Sequence, residues 1–138
     1  IDVIDINSTQ MPLKVYDSKK IPFKDKYFDM TYCSFVLHHI EEENLLQLLK
    51  ELKRVTKRRI VILEDCYKHK WEKKLDALLD LIVNRTISKE MALPFNFKTV
   101  GYWIELLGNV ISKNIHVEKI RVVPLMPKRY RMIVLDVG

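Results

Sequence analysis

The hydrophobic pattern changes period along the chain. Ile1 to Ile6 is rich in β-branched residues and gives way to polar Asn7-Ser8-Thr9, which predicts a strand ending at Asp5 or Ile6. Leu13 to Tyr16 predicts a second short strand closing at Asp17-Ser18, and Pro22 with Lys24-Asp25-Lys26 predicts a loop. Met30 to Val36 is a nearly continuous apolar run, the pattern of a strand buried on both faces. The period then lengthens. Leu45, Leu48, Leu49, Leu52 and Val55 lie on one face of a helix that opens on Glu41-Glu42-Glu43 and closes on Lys53, Arg54 and Lys57, charges that complement its dipole. Ile60 to Leu63 predicts another buried strand, ended by Glu64-Asp65, and is expected to lie beside Met30–Val36 at the centre of a sheet. Trp71, Leu75, Leu78, Leu79 and Ile82 predict a second amphipathic helix over 69–84. Thr99 is placed to cap a third over 99–111, with Val100, Trp103, Ile104 and Leu107 on one face. Val117–Val123 and Tyr130–Val137 predict two final strands, with Pro124 and Pro127 in their connection.

This order, β-β-β-α-β-α-α-β-β, predicts an α/β three-layer sandwich with right-handed parallel crossovers and a C-terminal antiparallel hairpin. No internal repeat or shift in composition marks a second domain. Residues 1–138 therefore read as one domain, with 66–112 as a helical cap region. The 138-residue length agrees with that reading.

Composition narrows the class. With 3 Gly and 5 Pro the chain is neither collagen-like nor a flexible linker. No apolar run reaches the roughly 20 residues a membrane helix requires. Two cysteines, Cys33 and Cys66, make neither a disulfide framework nor a zinc cluster and read as reduced thiols of a cytoplasmic protein. The net charge of +6 favours encounters with anions. The basic residues are scattered, however, and do not alternate with aromatics as they would in a nucleic-acid stripe.

Ligands of open α/β sheets bind outside the carboxyl ends of the strands. Those ends here carry Asp5, Asp17-Ser18, Ser34 through His39 with Cys33 nearby, and Glu64-Asp65. A single acid after a strand is an ordinary turn former, but four polar groups on one edge point to a site. His38-His39 is open to packing, capping or ligand contact. A metal site is not expected, because His69 and His116 supply no further ligand at usable spacing. A Cys33–His nucleophile is a weaker alternative to an inert thiol. No phosphate-binding loop is present, since the glycines are Gly101, Gly108 and Gly138.

Three segments in order carry a resemblance: Pro22-Phe23-Lys24-Asp25-Lys26-Tyr27-Phe28-Asp29, Val36-Leu37-His38-His39, and Glu51-Leu52-Lys53-Arg54-Val55. They resemble the class I S-adenosylmethionine-dependent methyltransferases, of the type 11 kind. Leu93 to Thr99, with Tyr102-Trp103, is similar to the family's cap and penultimate helix. The resemblance implies a Rossmann-like fold with S-adenosylmethionine as cofactor. Asp5 would hold the ribose hydroxyls, Asp17 and Ser18 the adenine, and Cys33 and Ser34 the methionine part. His38 and His39 would line the turn at the reaction cleft, His38 on the cofactor side and His39, with Asp65, on the substrate side. It implies no universal catalytic base.

The chain departs from the family pattern in three places. The family's first strand and helix, with their glycine-rich turn, have no counterpart, so the chain begins at the acid-ended second strand. Eleven residues separate Asp5 from Asp17, too few for a full helix. Lys57-Arg58-Arg59 stands where the family has a Pro-Gly-Gly turn. The chain alone is therefore expected to bind S-adenosylmethionine weakly or not at all. It is expected to close its sheet by strand pairing, by homodimerising or with an upstream segment. Methyl transfer to a small-molecule or macromolecular acceptor by the full-length protein is the expected function. A non-catalytic module contacting protein or RNA is the rival.

Overall fold

The computed structural model describes residues 20–87, 96–120 and 130–138. Its elements run β1 (Phe28–Ser34), a 3-10 turn (Leu37–His39), α1 (Glu42–Val55), β2 (Thr56–Asp65), α2 (Lys70–Ile87), α3 (Val100–Val110), β3 (Ile115–Ile120) and β4 (Tyr130–Asp136). The strands expected over 1–6 and 13–16, and Asp5, Asp17 and Ser18 at their ends, lie outside the described residues. So do Pro124 and Pro127.

The described sheet is mixed, in the order β1-β2-β4-β3. β1 and β2 are parallel and joined through α1, the expected crossover. β4 runs antiparallel to both β2 and β3, so the C-terminal hairpin inserts its second strand beside β2 and leaves β3 outermost. Register places Cys33, Ile62, Ile133 and Val117 in one row across the sheet, with Thr31, Ile60, Leu135 and Ile115 in the next. These residues share a face, because side chains alternate along a strand. Against it lie Leu45, Leu48, Leu49 and Leu52 of α1 and Trp103 and Leu107 of α3, in one continuous core. Leu49 is fully buried there. Leu49→Ala is therefore expected to lower the unfolding free energy by roughly 2–4 kcal/mol. Glu42→Ala, on the exposed face of the same helix, should move a denaturant midpoint far less. Equal midpoints would mean that the helix face is misassigned.

The opposite face corrects one expectation. β1 is adjacent to β2 but forms the edge of the described sheet, with Met30 58% and Tyr32 60% exposed. The near-continuous apolar run is not buried on both sides, because among the described residues the close-packed helices α1 and α3 meet only the other face.

The second helix corrects another. α2 forms where its periodicity places it, but Trp71, Leu78 and Ile82 are exposed while Glu72 and Asp76 are buried. The Glu72 carboxylate accepts from the backbone N–H groups of Lys68 and His69, at 2.6 and 2.9 Å. This closes the helix's own first turn and turns the acidic side inward. α3 follows its sequence signal closely: the Thr99 hydroxyl caps it by accepting from the Tyr102 N–H at 3.2 Å.

Two of the resembling segments meet in space. The Arg54 guanidinium donates to both Glu51 carboxylate oxygens, to Asp25 and to the carbonyls of Ile21 and Phe23. Glu51 also accepts from the Ile21 N–H at 2.8 Å. The pair clamps the loop before β1 onto the last turn of α1, so these motif positions build the scaffold. The Arg54 hydrogen bonds, with the Ile21 N–H, hold the Glu51 carboxyl below its usual range, against the opposing effect of burial. Its folded pKa lies below its unfolded one. It therefore stabilises the fold above about pH 4.3, and that contribution fades as acid takes the pH down through the depressed value. The stability gap between wild type and Glu51→Gln should be widest near neutrality and narrow below about pH 4 in urea titrations. A gap independent of pH would contradict the clamp.

Candidate functional site

The carboxyl ends of β1 and β2 lie side by side, with Ser34 opposite Leu63 and Glu64-Asp65 one step beyond. The backbone leaves β1 sharply. Phe35 takes a positive φ of 53° while its N–H donates to the Leu63 carbonyl at 2.8 Å, and the chain then winds into the Leu37–His39 turn. The turn is held from below by Glu64. In the alternation of β2 this side chain falls in the buried row of Ile60 and Ile62, and it is fully enclosed. One carboxylate oxygen accepts from the Leu37 N–H at 2.7 Å, and the other shares a 2.7 Å hydrogen bond with His38 Nδ1. A buried carboxylate is retained only where such partners replace water.

From above, the turn is held by the segment before α3. The Asn96 N–H donates to the His38 carbonyl at 3.1 Å, and its side-chain amide donates to the Ile40 carbonyl at 2.8 Å. Phe97, itself buried, stacks on the His38 ring with centroids 4.6 Å apart. The His39 ring lies 4.1 Å from that of His38, so both rings pack at this turn.

The sequence-predicted residues are thus partly brought together. Cys33 and His38 face inward near Glu64. Ser34 lies on the opposite side of β1, His39 is half-buried in the turn, and Asp65 is buried at the end of β2. Burial, reinforced by the Glu64 charge, pushes the Cys33 thiol up to about 12, so it stays protonated and is not a nucleophile. Burial likewise pushes Cys66 up to about 12. No described cluster of His, Cys, Asp and Glu has the makings of a metal site.

Two features escaped the sequence reading. Glu64 was one acid of a strand-ending pair, and its structural weight lay in the period-two row from Ile60. A cleft of about 370 Å³ also opens just past β2, lined by Cys66, Tyr67, Lys68, Thr99, Val100, Gly101 and Arg131. Its walls come from three separate stretches of chain, which no local motif announces. The size is within the usual range for small-molecule sites. A second cleft, of about 580 Å³ and lined by Asp29, Met30, Arg58, Arg59, Asn114, Asp136 and Gly138, lies at the other end of β2.

Comparison with known proteins agrees with this architecture. Residues 4–62 match the family model for a methyltransferase domain. No curated protein matches the chain. Among solved structures, a SAM-dependent methyltransferase of Methanosarcina mazei superposes with a TM-score of 0.59 at 17% identity, covering 89% of this chain and 65% of that one. A SAM-dependent methyltransferase of Aquifex aeolicus gives 0.57 at 17% identity, covering 92% and 55%. LepI, in its complex with SAM, gives 0.57 at 14% identity, covering 94% and 32%. The chain accordingly spans about a third to two thirds of the length of these structures. It has the α/β fold of the class I methyltransferases over the part it covers, and the resemblance read from its motifs is borne out. No described helix is long and apolar enough to cross a membrane.

Proposed function

We propose that the protein containing this chain transfers a methyl group from S-adenosylmethionine to an acceptor, at the edge formed by the carboxyl ends of β1 and β2. The observation that carries the reading is the match of residues 4–62 to a methyltransferase domain. The cleft beside Thr99 and Tyr67, open at that same edge, supports it. When bound, the cofactor supplies an electrophilic methyl group on a sulfonium. The chain's own part is to hold and align. In this reading Asp5 accepts from the ribose hydroxyls, Asp17 and Ser18 meet the adenine, and Cys33 and Ser34 flank the methionine part. His38 fixes the turn through Glu64, and His39 and Asp65 face the acceptor. Residues 66–112 act as the cap over the cleft. Two buried free thiols suit a cytoplasmic protein.

The rival is a non-catalytic module that binds protein or RNA, alone or as a homodimer. Isothermal titration of the 138-residue chain with S-adenosylmethionine and with adenosine separates the two. Methyl-transfer ancestry predicts weak binding, with Kd above about 1 μM, part of which adenosine retains because Asp5, Asp17 and Ser18 meet the ribose and adenine. No heat with either ligand at millimolar concentration favours the module.

A further inference from the structure

The amphipathicity of α2 is inverted. Its two acids with described side chains, Glu72 and Asp76, are buried, while Trp71, Leu78 and Ile82 are 60%, 54% and 54% exposed. On a helical projection these three fall within a narrow sector, since 78 and 82 follow 71 by seven and eleven residues. Exposed Arg85, Lys74, Leu81 and Lys70 extend in turn along one side of this sector, and no described acid interrupts it. An apolar strip of one tryptophan and aliphatic residues, edged by cations, is the composition of a helix lying in a lipid interface. There the aliphatic groups enter the acyl boundary and the lysines reach back to anionic headgroups. We propose that α2 docks this protein, flat, on an anionic lipid surface. Charge selects this occupant. A second copy laid on the same face would set Lys70 and Lys74 against their own kind, and a nucleic acid would leave Leu78 and Ile82 without an apolar partner.

The two tryptophans make the test specific. Trp71 is exposed on α2 and Trp103 is 1% exposed in the core. The full 138-residue chain is mixed with vesicles of phosphatidylcholine, or of equal parts phosphatidylcholine and phosphatidylglycerol. Flotation and tryptophan emission are recorded. Binding to the anionic vesicles only, with a blue shift that disappears in Trp71→Phe, is the expected result. Lys70→Gln combined with Lys74→Gln should weaken partitioning about 30-fold, at roughly 1 kcal/mol for each basic residue at such a surface. All three positions are exposed, so thermal midpoints of the variants should match wild type, and a matched midpoint certifies the comparison. The proposal is overturned by failure to float with anionic vesicles or by equal binding to both compositions. It is equally overturned by binding that ignores the lysine pair, or by capture on polyuridylate or in a dimer with Trp71 emission unchanged.

Discussion

Glu64→Ala is expected to cost about 3–5 kcal/mol of stability, as removal of one partner from a buried hydrogen-bonded pair. The carboxylate is fully enclosed and serves two donors on the turn after β1, the Leu37 N–H and His38 Nδ1. Truncation leaves both facing a void, and each buried group without a partner costs about 1–3 kcal/mol. Glu64→Gln preserves the shape and one acceptor and should cost less. The double replacement Glu64→Leu with His38→Phe removes donor and acceptor together and should recover much of the loss, as buried pairs exchanged for apolar groups commonly do. Urea denaturation of the four proteins checks the series. If Glu64→Ala matched wild type, the dyad could not be what anchors the turn at the proposed site.

Trp103→Ala should cost a comparable 3–5 kcal/mol. Trp103 is among the largest fully buried side chains, on the inner face of α3 within the core shared with α1 and the sheet. Its loss opens a cavity that Tyr102, edge-on at 5.5 Å, is too far outside to fill. Trp103→Phe keeps most of the volume and should cost clearly less. Calorimetric melting of the pair decides this, and similar midpoints for both variants would show that α3 contributes little to the fold.

What was legible in the sequence was what local rules specify together. α1 combines a leucine stripe with acids at its start and bases at its end, and forms over Glu42–Val55, stopping short of Lys57, which already lies in β2. Thr99 caps α3, and the final hairpin pairs Ile115–Ile120 with Tyr130–Asp136. Periodicity shows that a segment is helical but not which face is covered, and α2 illustrates the gap. Its apolar residues point outward because Glu72 is committed to its own N-terminal turn. The continuous apolar run of β1 misled for a related reason, since cover on the second face is a tertiary property. At the site, the strand ends were located by topology alone, and His38 drew notice as half of a pair. Its partner Glu64 lies 26 residues away in sequence and is joined to it only by the parallel pairing of β1 and β2. The cleft walls, spread from Cys66 to Arg131, have no local signature.

The central claim is that the carboxyl edge of β1 and β2 receives S-adenosylmethionine. It is tested most directly by titrating the isotope-labelled 138-residue chain with the cofactor and following backbone amide shifts, which report location even when affinity is weak. The account predicts perturbations concentrated at Ser34 to His39 and at Asp65 to Lys68, reduced in Glu64→Gln. Shifts confined to the opposite cleft at Asp29, Arg58, Arg59 and Asp136 would contradict it.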